Sequence, residues 1–189
     1  MRFLVLALVM ICLEGGLAAV LPADSLLDAA QSGDLARVRR LVTESDTPAV
    51  NARDTMSRTP LIFAASYGDP AIVQELVAAG AEVNSQDVHG WSPLHWAADT
   101  GHAAVIAELL QDAADPDLQD VEGWTALHWA AYRGDMDIVR ELVTTGQANI
   151  NLHTQVDRNT RKSYSAWDLA TMYGHRNVAD YLHDLNMAD

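Results

Sequence analysis

The chain repeats itself every 33 residues, and that repetition limits what it can fold into more than any other feature. Segments 54–84, 87–117 and 120–151 align so that Asp54, Asp87 and Asp120 share a column. Pro60, Pro93 and Ala126 share another, and Gly68, Gly101 and Gly134 a third. A period of this length marks small helical or hairpin units, none of which can bury its apolar side alone. Such units must stack on one another.

The residues of one unit say how it is built. Asp87 to Gly90 is turn chemistry: a short carboxylate bonds its own backbone and glycine takes a left-handed conformation. Ser92 then Pro93 reads as an N-cap followed by a first helical residue. Leu94, Ala97 and Ala98 give a helix face of small residues that permits close approach, and Gly101 ends it. A second helix carries Val105, Ile106, Leu109 and Leu110 at helical spacing.

The three units read Thr59-Pro60-Leu61, Ser92-Pro93-Leu94-His95 and Thr125-Ala126-Leu127-His128. This resembles the ankyrin repeat signature T-P-L-H-x-A. Weaker units flank them at 24–42 and 165–185, with Gly33 and Gly174 at the helix-ending position, as end caps require. The expected fold is an all-α solenoid of about five helix-turn-helix units joined by hairpin loops. Their approximate bounds are 24–53, 54–86, 87–119, 120–154 and 155–189 within a domain 24–189. Three departures stand out. Ser57 replaces the hairpin glycine, Ala113 replaces the glycine seen at Gly80 and Gly146, and Gln147 is one extra residue. A longer connection at 152–164 holds Arg158, Arg161 and Lys162, and reads either as a basic hairpin finger or as a tolerated insertion.

Residues 1–23 carry Arg2, an apolar run from Phe3 to Leu13 and then small residues, the layout of a secretory signal peptide. Cleavage is expected after Ala18, Ala19 or Ala23. The run is short for a membrane span and Glu14 interrupts it. Cys12 is the sole cysteine and would leave with the signal, so the mature chain has no disulfide or thiolate site. A periplasmic or secreted location is expected.

Lys and Arg number 12 against 26 Asp and Glu, a net charge of -14. Nucleic acid and anionic membrane surfaces are therefore disfavoured partners. From Thr59 to Tyr132 there is no Lys or Arg, yet eleven Asp and Glu. Either this is a solvated face or it attracts a partner with a basic patch.

No G-x-S-x-G, H-E-x-x-H or phosphate-cradling glycine loop occurs, so no catalytic residue, cofactor or metal site is expected. His95 and His128 hold the signature position, to which the resemblance assigns the ordering of turns. His102 and His175 follow helix-ending glycines and read as structural. Asp112, Asp115, Asp117, Asp120 and Glu122 do not match a calcium loop.

Four of the five tryptophans form two pairs, Trp91 with Trp96 and Trp124 with Trp129. Trp96 and Trp129 align with Phe63 and are expected in the inter-repeat core. Trp91 and Trp124 align with Arg58, so they are expected outside it. The resemblance implies a concave recognition surface of Thr55, Met56, Arg58, Ser66 and Tyr67. Val88, His89, Trp91, Asp99 and Thr100 come from the next unit, then Val121, Glu122, Trp124, Tyr132 and Arg133. The expected function is non-catalytic binding of another protein by a monomer anchored on Trp91 and Trp124. Removing those two is expected to abolish binding and leave the thermal melt near its original value. Alternatives are a ligand- or metal-binding periplasmic protein and an accessory stabiliser of an exported enzyme.

Overall fold

The computed structural model describes residues 25–44, 49–156 and 162–187. The signal segment, and Arg158 and Arg161 of the long connection, lie outside the described residues. Among the described residues there are ten helices in five antiparallel pairs and no strand beyond the isolated bridge His153–Ser165. The inner helices are α1 Leu26–Gln31, α3 Pro60–Tyr67, α5 Pro93–Thr100, α7 Ala126–Arg133 and α9 Ala166–Met172. The outer helices are α2 Leu35–Glu44, α4 Pro70–Ala78, α6 Ala103–Gln111, α8 Met136–Thr144 and α10 Arg176–Asn186. Inner helices stack on inner and outer on outer, each against its neighbour in sequence.

Local chemistry sets these boundaries as expected. Thr59 and Ser92 cap helices that open on Pro60 and Pro93, and the Thr59 hydroxyl accepts from the Ile62 amide at 3.3 Å. Gly68, Gly101 and Gly134 close the inner helices in the left-handed region, at φ 92°, 84° and 76°. Ala64, Ala65, Ala97, Ala98, Ala130 and Ala131 are completely buried, so adjacent inner helices approach closely. Ile72, Leu76, Ile106, Leu109, Ile138 and Leu142 close the outer layer of the same core.

The first three hairpins are each ordered by one carboxylate, Asp54, Asp87 or Asp120. Asp87 Oδ1 accepts from the amides of His89 (2.8 Å) and Trp91 (3.0 Å), and Asp120 Oδ1 from those of Glu122 (2.9 Å) and Trp124 (2.8 Å). Successive hairpins are joined by single backbone bonds. Val88 N donates to Met56 O, Val121 N to His89 O, and Gln155 N to Glu122 O. Ser57 and Ala113 adopt φ 60° without being glycine.

The register after α8 differs from the sequence alignment. The left-handed residue matching Gly80 and Ala113 is Gln147, at φ 54°, and Gly146 has no such conformation. The extra residue therefore precedes Gln147 and widens the end of α8. Ala148 N reaches back six residues to Leu142 O, whereas Ala81 and Ala114 reach back five, to Leu76 and Leu109.

Candidate protein-binding face

Imidazoles tie the inner helices to the hairpins that follow them. His95 Nδ1 lies 2.8 Å from the Ser92 hydroxyl and accepts from the Ser92 amide at 3.2 Å, while Nε2 lies 2.9 Å from the Trp124 carbonyl. His128 repeats this with Thr125 and the Tyr164 carbonyl. An Nδ1 that accepts an amide leaves the proton on Nε2, facing the carbonyl, so both rings are held neutral. Burial pushes His128 down to about 4. It lowers His95 as well, against the opposing pull of the Trp124 carbonyl and the Asp120 and Asp87 carboxylates. His102 and His175 make the second set of links, to the Ser66 and Tyr132 carbonyls at 3.2 and 2.9 Å. These four histidines serve the fold.

The tryptophans do not divide into core and surface. All four are half-buried and belong to one column. Ring centroids lie 4.9 Å apart for Trp96 and Trp91, 4.7 Å for Trp91 and Trp129, and 4.6 Å for Trp129 and Trp124. Tyr132 meets Trp124 and Trp129 at 6.0 Å each, and Tyr173 meets Tyr132 edge-on at 4.5 Å. Trp129 does pack against the core, as expected, but the residue stays partly exposed. The reason is geometric: a hairpin residue lies over the inner-helix residue five positions later. Arg58 obeys the same rule, its guanidinium 4.6 Å from the Phe63 ring centre.

Arg58 also pairs with Asp54 at 2.7 Å. Burial alone raises the Asp54 carboxyl, but Arg58 and the amides of Arg58 and Met56 outweigh it and hold the group below its ordinary value. Arg58 and Tyr67, with Gln31, Phe63, Ser66 and Trp96, border an open hollow of about 290 Å³ at one end of the column. Thr55, Met56, Val88, His89, Val121 and Glu122 are exposed on the hairpin tips. Asp99 is half-buried on α5. Thr100 is occupied by its own helix, its hydroxyl donating to the Trp96 carbonyl at 2.6 Å. Arg133 stands apart: its guanidinium turns toward Gly101, where an added Cβ would lie 3.4 Å away.

Two members of this face were hidden from sequence alignment. Tyr173 extends the column into the last unit. Tyr164 holds the Trp124 position there, because Thr154 N donates to its carbonyl and its own amide donates to Thr154 Oγ1. The insertion masked that equivalence, although Tyr164 directly precedes the N-cap Ser165 just as Trp124 precedes Thr125.

The acidic segment 112–122 is distributed among turns. Asp117 Oδ1 accepts from the Asn149 amide in the following unit at 2.8 Å, Asp115 Oδ1 accepts from Asp117 N at 3.0 Å, and Asp120 orders its hairpin. Among the described residues, no three His, Cys, Asp or Glu side chains converge as a metal site would require. No described helix is long and apolar enough to cross a membrane.

Comparison with known proteins agrees with this architecture. Human Ankyrin repeat domain-containing protein 49 is 50% identical over 62 residues, covering 33% of this chain and 26% of that protein. The match thus spans about a quarter of the relative's length. The family described as "Ankyrin repeats (3 copies)" matches residues 26–120 and 108–189, nearly every described residue. The chain belongs to the ankyrin repeat family.

Proposed function

We propose that this protein is an exported, non-catalytic module that binds a partner protein through its hairpins and inner helices. Ankyrin repeats are generally protein-protein interaction modules, and the family supplies a surface rather than a reaction. The observation that carries the reading is the aromatic column, half-exposed from Trp96 to Tyr132 and continued by Tyr173. Large rings held rigid by mutual contact gain binding area at little entropic cost, which is why Trp and Tyr dominate interface hot spots. Val88 and Val121, 48% and 58% exposed, stand on hairpin tips next to it. The absence of Lys and Arg from Thr59 to Tyr132 supports a partner with a basic patch.

Export rests on the signal-like residues 1–23 and on a mature chain without cysteine. Affinity capture from the periplasm or secretome tests the reading, comparing wild type with the double variant Val88→Arg, Val121→Arg. Both side chains are solvent-facing, so folding should persist while capture is lost. Equal capture by the two proteins would place the interface elsewhere. Sequencing the mature N-terminus tests export in the same preparation.

A further inference from the structure

Trp167 on α9 holds the register of Leu61, Leu94 and Leu127, which are at most 2% exposed, yet it is itself 42% exposed. Thr171 is exposed where Ala65, Ala98 and Ala131 are completely buried. The space over Gly174 is open, whereas the rings of His102 and His175, each from the following unit, cover Gly68 and Gly134. This side of α9 and α10 is therefore the open end of the described stack. A further unit of the same kind lacks its attachment here. His95 and His128 reach the carbonyl of the next hairpin, but their counterpart Asp168 turns back on its own cap. Its Oδ2 accepts from the Ser165 amide at 2.8 Å and the Ser165 hydroxyl at 2.7 Å. Thr171, Arg176, Asp180 and His183 give this end the polarity a terminal unit needs, and Trp167 is the exception to it.

We infer that this end face pairs with the same face of a second copy about a two-fold axis, each Trp167 entering the other copy. The face holds both halves of such a contact. Trp167 and His183, with ring centres 6.4 Å apart, stand between two open hollows. One, of about 380 Å³, has Ile150 and Leu182 in its lining and is roomy enough for an indole. Asp168 borders it too, and its Oδ1, unused by the cap, can accept the N–H of the incoming ring. Trp96 donating to Asp87 Oδ2 at 3.2 Å is the same pairing inside the chain. The other hollow, of about 510 Å³, carries Arg176 and Asp180 one helical turn apart. Among the described residues neither side chain forms an ion pair. An isologous contact repeats every pair of residues, so Arg176 of each copy can meet Asp180 of the other. Knob, hollow and both charges lie on one surface, which is the self-complementarity that a two-fold contact requires. The monomer expected from sequence would then be a dimer presenting two aromatic columns.

Sedimentation velocity of the full mature protein, from micromolar to near-millimolar concentration, is expected to show a monomer giving way to a single dimer species. Trp167→Ala should raise the dissociation constant at least tenfold. Trp167→Phe, which keeps a ring but not the N–H, should raise it about threefold. Arg176→Asp and Asp180→Arg should each weaken the dimer about fivefold, and the variant carrying both should return to within twofold of wild type. Both of these side chains are exposed, so the swap reads the contact without touching the core, and circular dichroism checks that each variant stays folded. Val88→Arg with Val121→Arg, on the hairpin tips, should dimerise like wild type. A chain that stays monomeric throughout overturns the inference. So does growth past two copies, which marks head-to-tail stacking, or a dimer that Trp167→Ala leaves intact. A double charge swap that recovers nothing overturns the two-fold pairing.

Discussion

The indole of Trp91 rests on that of Trp129 in the next repeat, with 4.7 Å between ring centroids. The two lie 38 residues apart in sequence, and the contact joins the hairpin of one unit to the inner helix of the following one. It makes the proposed docking residues part of the cohesion of the stack.

Truncating the column therefore has a stability consequence. Trp129→Ala removes contacts with Trp91, Trp124 and Tyr132 together, and should cost about 3 kcal/mol in urea unfolding, near the lower end for buried aromatic truncations. Trp91→Ala with Trp124→Ala should also lower the melt, contrary to the expectation from sequence. Val121→Ser on an exposed tip should stay within about 0.5 kcal/mol of wild type. If Trp129→Ala melts like Val121→Ser, the column contributes nothing to the fold.

Acidification should loosen the array. Burial pushes folded His128 down to about 4, below the ordinary histidine value of 6.5, so between these values the unfolded chain binds more protons. Stability is complete above about pH 6.5 and falls as pH drops toward 4, by roughly 3 kcal/mol once the window is crossed. His95, depressed by the same burial, adds in the same direction. Urea unfolding of wild type and His128→Gln at pH 7.5 and 4.5 checks this: the variant should be weaker at pH 7.5 and lose less on acidification.

Two glycines distinguish strain from crowding. Gly68 and Gly174 sit at φ 92° and 80°, yet a Cβ on Gly68 would come within 2.5 Å of the His102 ring while Gly174 has nothing within 4 Å. Gly174→Ala should cost about 1 kcal/mol for the left-handed backbone alone. Gly68→Ala should cost at least twice that, since His102 must release the Ser66 carbonyl. Thermal melts of the two variants give the comparison.

The converse substitution should stabilise. Ala113 adopts φ 60° at the position where Gly80 stands one repeat earlier. Ala113→Gly relieves the left-handed penalty at some entropic loss, a net gain of about 0.5–1 kcal/mol visible as a higher melt. An unchanged or lower midpoint would mean that Ala113 carries no strain.

The repeat and its caps were legible because each depends on residues a few positions apart; the histidines' role came from the family resemblance, and their carbonyl partners, 29 to 43 residues away, appeared only in the structure. Thr59, Pro60 and Gly68 define a helix without reference to anything distant. The function of the paired tryptophans was less legible, because Trp91 meets Trp129 only after two units have stacked. Alignment against Phe63 and Arg58 suggested a buried and an exposed class, but an indole is long enough to cross from either position into the same column. Tyr164 escaped for a different reason: the insertion at 152–164 broke the 33-residue count, and its register shows in the Thr154 pairing and in its place directly before the N-cap Ser165. At Gln147 the extra residue moved the left-handed turn by one, a backbone adjustment that glycine placement does not reveal.

The single backbone bonds between hairpin tips, Val88 to Met56, Val121 to His89 and Gln155 to Glu122, connect only adjacent units. The chain therefore behaves as a one-dimensional lattice whose links differ in strength. Indole packing of Trp91 on Trp129 adds to the link between the third and fourth units, so structure should nucleate there and spread outward, while heating frays the stack from its ends. Amide hydrogen exchange along the chain would then rise from the middle toward both termini, a gradient set by four indoles.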